Sequence, residues 1–121
     1  MNNPLALVVE DDQDLALIFS EAMRRAGFET EIFADGKAAL ARLARVAPAV
    51  VVLDLHLPRL SGQDILHQIR AEERLSKTRI ILTTADARMA QNLRDKADVV
   101  LLKPVGFDQL YLMAKRLRLR D

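Results

Sequence analysis

Three acids stand in a row at Glu10-Asp11-Asp12, and a fourth, Asp54, follows the aliphatic run Val50 to Leu53. Two hydroxyls, Thr83-Thr84, close a second aliphatic run that begins at Ile80, and Lys103-Pro104 follows a third, Val99 to Leu102. Carboxylates held together repel one another, so such a cluster is strained unless a cation occupies it. The chain has no cysteine and no evident imidazole ligand, and an all-oxygen donor set suits a hard ion, Mg2+ or Mn2+. Mg2+ keeps several waters and is held by one or two carboxylates plus phosphate oxygens, so a phosphoryl ligand would complete the site.

Asp54 is the candidate nucleophile, because a carboxylate attacks phosphorus to give an acyl phosphate once nearby cations neutralise the transferred group. Lys103 is the candidate cation. Thr84 offers a hydroxyl to a phosphoryl oxygen, which would convert new charge into a loop movement. Thr83, one residue earlier, should point to the opposite face of its strand. Each residue alone also has a structural reading: an acid after a strand caps a helix, and a Lys-Pro pair makes a turn. Their joint placement carries the inference. His56 is read as exposed or as contributing its backbone carbonyl, in preference to ligation or phosphorylation through its ring, and His67 as solvent-facing.

These residues must be brought together by the elements that precede them. Five apolar runs, Leu5 to Val9, Phe28 to Phe33, Val50 to Leu53, Ile80 to Thr83 and Val99 to Leu102, alternate with stretches of helical periodicity, as in a parallel α/β sheet. The second run is more mixed and reads as an edge strand. A first helix is expected after Asp12 or Asp14, with Leu15, Ile18, Phe19, Ala22, Met23 and Ala26 on its inner face and Gly27 ending it. A second begins near Asp35 and carries Ala38, Leu40, Ala41 and Leu43. A third runs from about Gly62 through Ile65, Leu66 and Ile69 to Glu73. The last presents Phe107, Leu110, Tyr111, Ala114 and Leu117 to the core and Lys115, Arg116, Arg118 and Arg120 to solvent. In a doubly wound sheet ligands sit outside the carboxyl ends of the strands, which is where all the singled-out residues fall.

With 121 residues, the chain is expected to form one domain over residues 1–121, and its half apolar, 29% charged composition suits a packed core. A net charge of +1 argues against a surface built to attract nucleic acid. The basic end of the last helix lacks aromatic interleaving, so direct nucleic-acid binding is not expected of this domain. No apolar run approaches the roughly 20 residues of a membrane helix, and Met1-Asn2-Asn3-Pro4 lacks the features of a signal peptide. The cytoplasm is the expected compartment. Arg116 to Asp121 is a candidate connector to a further segment.

Val8-Val9-Glu10-Asp11-Asp12, Asp54-Leu55-His56-Leu57-Pro58 with Gly62, Thr84-Ala85 and Lys103-Pro104, in this order, resemble the signature of response-regulator receiver domains over essentially the whole chain. The resemblance implies a flavodoxin-like fold: a five-stranded parallel sheet in order 2-1-3-4-5, helices on both faces. It implies Asp54 as phosphoacceptor, Asp11 as direct metal ligand and Glu10 as the second acid. It further implies His56 as a main-chain metal ligand, Thr84 as switch hydroxyl and Lys103 as phosphate-binding lysine before a cis proline. Asp12 then caps the first helix. The implied partners are a histidine kinase or histidine phosphotransfer protein and an output domain or effector. The implied role is a phosphoacceptor that assists its own phosphorylation and dephosphorylation, not an enzyme.

Two departures from the family pattern bear on output. Val100 stands where many receivers have Tyr or Phe, three residues before the lysine. The stretch from Thr84 to Lys103 is shorter than usual, with Lys96-Ala97-Asp98 in place of Gly-Ala-Asp, so helix four should be short, displaced or partly unwound. Both motivate a second reading, a pseudo-receiver that binds proteins without phosphorylation. An aspartyl-phosphate hydrolase is disfavoured because His56 stands where a second Asp is typical. A flavodoxin is disfavoured because three acids after the first strand would repel a flavin phosphate.

Overall fold

The computed structural model describes residues 3–119. Strands β1 (Leu5–Val9), β2 (Glu29–Phe33), β3 (Val50–Asp54), β4 (Arg79–Thr84) and β5 (Val99–Leu102) form one parallel sheet in the order β2-β1-β3-β4-β5. Between and after them lie α1 (Gln13–Arg25), α2 (Gly36–Leu43), α3 (Gly62–Ala71), α4 (Ala87–Asn92) and α5 (Phe107–Leu119). This is the doubly wound architecture expected from the alternation of aliphatic runs and helical stretches, in the flavodoxin-like strand order that the resemblance implies. Met1 and Asn2, part of the segment read for export, and Arg120 and Asp121, part of the candidate connector, lie outside the described residues.

Side chains alternate across each strand, so the sheet builds a separate core on each face. Val8, Val50, Val52 and Ile81 pack with Phe19 and Met23 of α1 and Leu110 and Ala114 of α5. Leu7, Val51, Leu53, Ile80 and Leu82 pack on the other face with Ala39 and Leu43 of α2 and Ile65, Leu66 and Ile69 of α3. Every residue of β3 is buried, as a central strand covered on both faces requires, whereas β2 is half-exposed at the edge. A paired contact from Arg42 to Glu31, at 2.8 and 2.9 Å, ties α2 to that edge.

Four details differ from the sequence expectation. Ile18 is 42% exposed: the inner face of α1 is rotated toward Ala16 and Ser20, and the Ser20 hydroxyl is buried because it meets Thr30 Oγ1 at 2.7 Å. In α2 the buried positions are Gly36, Ala39 and Leu43, while Ala38 and Ala41 face solvent. Gly36 forms part of that contact because a β-carbon there would lie 2.8 Å from Ile65 Cδ1. Helix α3 stops at Ala71, and Glu73–Leu75 forms a separate 3-10 turn that buries Leu75. The second strand begins at Glu29, with Phe28 buried just before it.

The amino-terminal end of the sheet is fastened by side chains bonded to backbone. Arg70 donates to the carbonyls of Lys96 and Thr78 and pairs with Asp98, whose carboxylate also accepts the Ile80 N–H. Arg74 reaches the carbonyls of Val46 and Leu43, and Thr78 donates to Pro48 O at 2.7 Å. These contacts anchor the chain that enters β4 and β5.

Candidate functional site

Parallel pairing aligns the carboxyl ends of β1, β3, β4 and β5, and the residues singled out in sequence gather there. Val9 pairs with Leu53, Asp54 with Thr83, and Thr84 with Leu102, so the acids, hydroxyls and lysine lie at one edge of the sheet, where the acids and the lysine border one crevice. Asp12 caps α1 by accepting the Leu15 N–H at 3.0 Å. It thereby directs the chain away from the strand end and leaves Glu10 and Asp11 beside the crevice.

Glu10, Asp11 and Asp54 each bring a carboxylate oxygen within 4.8 Å of the others. Glu10 and Asp54 are both only 2% exposed, whereas Asp11 is exposed. Glu10 Oε2 accepts the Asp12 N–H at 3.0 Å, and Glu10 Oε1 accepts from Lys103 Nζ at 3.2 Å. Lys103 Nζ also lies 3.5 Å from Asp54 Oδ1. The ammonium thus bridges two buried acids, one just past β1 and one closing β3. The Lys103-Pro104 bond that follows is cis.

Burial pushes the Glu10 carboxyl up to about 7, reinforced by the Asp54 charge; the Asp12 N–H and Lys103 offset only part of this. Burial alone would lower Lys103, but the charges of Asp54 and Glu10 outweigh it and hold the ammonium above its usual range. The site therefore carries an excess of negative charge that one lysine does not neutralise. Its donors are all oxygens, within reach of a single small ion, which fits a hard divalent cation.

Asp54 is followed by a tight turn onto α3. His56 donates its N–H to Asp54 Oδ1 at 3.1 Å, and Gly62 N donates to Leu55 O at 3.3 Å. A β-carbon at Gly62 would lie 2.2 Å from Asp54 O, so only glycine lets α3 start this close to the acid. Thr84 is fully buried; its Oγ1 lies 2.7 Å from His56 Nε2 and accepts the Asp86 N–H at 3.0 Å. The engagement of the His56 ring is a feature that sequence reading missed. Thr83 is also fully buried, is aligned with Asp54, and has no hydrogen-bond partner for its hydroxyl among the described residues.

The two departures from the family pattern have structural counterparts. Val100 is half-buried and packs against the core on the α2 and α3 side of the sheet. Helix α4 has six residues, capped by Asp86, whose carboxylate accepts the N–H groups of Arg88 and Met89. His67 is exposed, as expected.

Comparison with known proteins agrees with this fold. The profile of the family described as response regulator receiver domain matches residues 6–115. The chain is 38% identical to the sensory transduction protein RegX3 of Mycobacterium tuberculosis over 106 residues, covering 86% of this chain and 46% of that protein. It is 34% identical to the DNA-binding response regulator MtrA of Mycobacterium leprae over 116 residues, covering 95% and 52%. The chain thus spans about half the length of these relatives. The receiver domain of Francisella response regulator 1452 superposes with a TM-score of 0.84 at 27% identity, covering 98% of each chain. In sequence profile and in fold, the chain belongs to the response regulator receiver domain family.

Proposed function

We propose that residues 1–121 form a phosphorylation switch in which Asp54 accepts a phosphoryl group in a Mg2+-dependent reaction from a histidine kinase or histidine phosphotransfer protein. The observation that carries this reading is the joint placement of three mutually close carboxylates and a lysine bridging two of them. In the reaction an Asp54 carboxylate oxygen forms a bond to phosphorus while the bond from phosphorus to the donor's imidazole nitrogen breaks. The electron pair of that bond leaves with the imidazole.

Asp11, Asp54 and the main-chain oxygen of His56 would hold the ion directly, with Glu10 as the second acid acting through water. The ion, Mg2+ or Mn2+, would supply positive charge against the transferred phosphoryl oxygens. Lys103 would neutralise a further oxygen, and in doing so would exchange its contact with Asp54 for one with the phosphoryl group. Thr84 would donate its hydroxyl to the phosphoryl group and carry the β4–α4 loop with it. The same residues would serve in removing the group, so the domain assists its own chemistry without turning over a separate substrate.

Among the described residues no helix is long and apolar enough to cross a membrane. A cytoplasmic location of this chain suits this reading, and the output would lie with an effector or an appended domain. The DNA binding named for MtrA is not carried over to these residues. A second reading, a protein-binding module that signals without phosphorylation, is favoured only by Val100 and the six-residue α4.

The test is incubation of wild type and Asp54→Asn with acetyl phosphate and Mg2+, followed by intact-mass analysis under mild conditions. Gain of one phosphoryl mass by wild type alone, abolished by EDTA, is expected. Unmodified, folded wild type across several phosphodonors would move the assignment to the protein-binding module.

A further inference from the structure

His56 touches both ends of the proposed switch. Its backbone N–H donates to Asp54 Oδ1 at 3.1 Å, and its ring Nε2 lies 2.7 Å from Thr84 Oγ1. The hydroxyl is therefore already occupied. One lone pair of Thr84 Oγ1 accepts the Asp86 N–H. The remaining capacity faces Nε2, which takes the hydroxyl proton or donates its own according to tautomer, and in both cases the group is engaged.

Alternation along the strands adds a constraint. Asp54 shares the face of Val50 and Val52, in the core beneath α1 and α5, whereas Thr84 shares the face of Ile80 and Leu82. Thr84 therefore serves a group on Asp54 only if the end of β4 and the loop to α4 shift. That shift pulls its hydroxyl from a ring whose own backbone is fixed to Asp54. His56 is half of this contact, yet it is exposed while Thr84 is fully buried, so its side chain is not needed to fill the core.

Resting on the phosphoacceptor reading above, we propose that the His56 imidazole is a latch: a positioning group that holds Thr84 in its unphosphorylated arrangement and must release it when Asp54 is modified. His56 then sets how far the loop equilibrium leans toward the resting state. Its imidazole takes no part in the chemical step itself.

The experiment uses the full chain as wild type, His56→Phe, Thr84→Val and the double variant; His56→Ala replaces His56→Phe if the latter does not fold. In the unmodified protein, three-bond couplings report the Thr84 rotamer. One rotamer in wild type that becomes averaged in His56→Phe is expected, and identical rotamer distributions in the two overturn the latch. The second measurement is affinity for beryllium fluoride with Mg2+, a mimic of the phosphoryl group. His56→Phe is expected to bind it about fivefold more tightly, the factor that a net hydrogen bond of ~1 kcal/mol represents. Added to Thr84→Val, the same change is expected to have no effect. An equal gain in both Thr84 backgrounds, or none in either, overturns the latch while the phosphoacceptor reading stands. Folded wild type that binds no beryllium fluoride removes that reading, and the latch with it.

Discussion

Lys103 Nζ stands 3.5 Å from Asp54 Oδ1, close enough to hold the acid yet longer than the 3.2 Å hydrogen bond it makes to Glu10. The lysine thus compensates two acids incompletely, and its removal has two separable effects. Lys103→Met is expected to cost the metal-free protein about 1–3 kcal/mol, below the range for breaking a fully buried pair because the lysine keeps some solvent contact. The same variant is expected to bind Mg2+ severalfold more tightly, since one positive charge no longer competes for the carboxylates. Thermal unfolding in EDTA and Mg2+ titration check the two halves.

Glu10 makes the metal-free protein sensitive to pH. Its carboxyl is raised from 4.5 to about 7 on folding, so the folded state binds the proton more tightly than the unfolded chain. The associated stability is fully present below about 4.5, is lost as pH rises to about 7, and changes little above that. The unfolding temperature in EDTA is expected to fall across this window, and Glu10→Gln is expected to flatten the profile. Mg2+ should restore stability at the alkaline end, where the acids are ionised and bind it best. A wild-type profile that rises with pH in EDTA would contradict the assignment.

Thr83 offers a stabilising change. Its buried hydroxyl lacks a partner among the described residues, so Thr83→Val exchanges an unsatisfied polar atom for a methyl group of similar shape. A gain of about 1 kcal/mol is expected in chemical denaturation. A loss of the same size would mean that the hydroxyl has a partner in solution.

Gly62 is constrained by the strand that carries the acid. Gly62→Ala places a β-carbon against Asp54 O and Leu55 Cα, where backbone, not a flexible side-chain end, must give way. A loss of about 3 kcal/mol is expected, with slower phosphorylation from acetyl phosphate because the Asp54 turn is displaced. If stability and modification rate are both unchanged, the close approach seen here is not a feature of the folded protein.

The strand ends could be read from sequence because aliphatic runs in a doubly wound sheet are short and uninterrupted, and Glu10, Asp54, Thr84 and Lys103 each follow one directly. The faces of α1 and α2 were less legible. Ser20 is polar by type yet buried through Thr30, and Gly36 has no side chain to register in an apolar pattern although its bare backbone is the contact. The contact between His56 and Thr84 joins the loop after β3 to the last residue of β4, distant in sequence, and its existence depends on how the turn at each strand end aims the side chain. No periodicity encodes that. Helix α4 was foreseen as short because chain length between Thr84 and Lys103 is a local quantity.

Arg70, Arg74 and Thr78 stitch the end of the sheet opposite the crevice, gripping carbonyls before β3, β4 and β5. At the crevice, by contrast, Glu10, Asp54 and Lys103 hold one another, and His56 holds Thr84. Foundation and signalling surface are thus assigned to opposite poles of one small sheet. Substitutions at the stitched pole are expected to be felt as folding defects alone, whereas those at the other couple stability to the charge state of the acids.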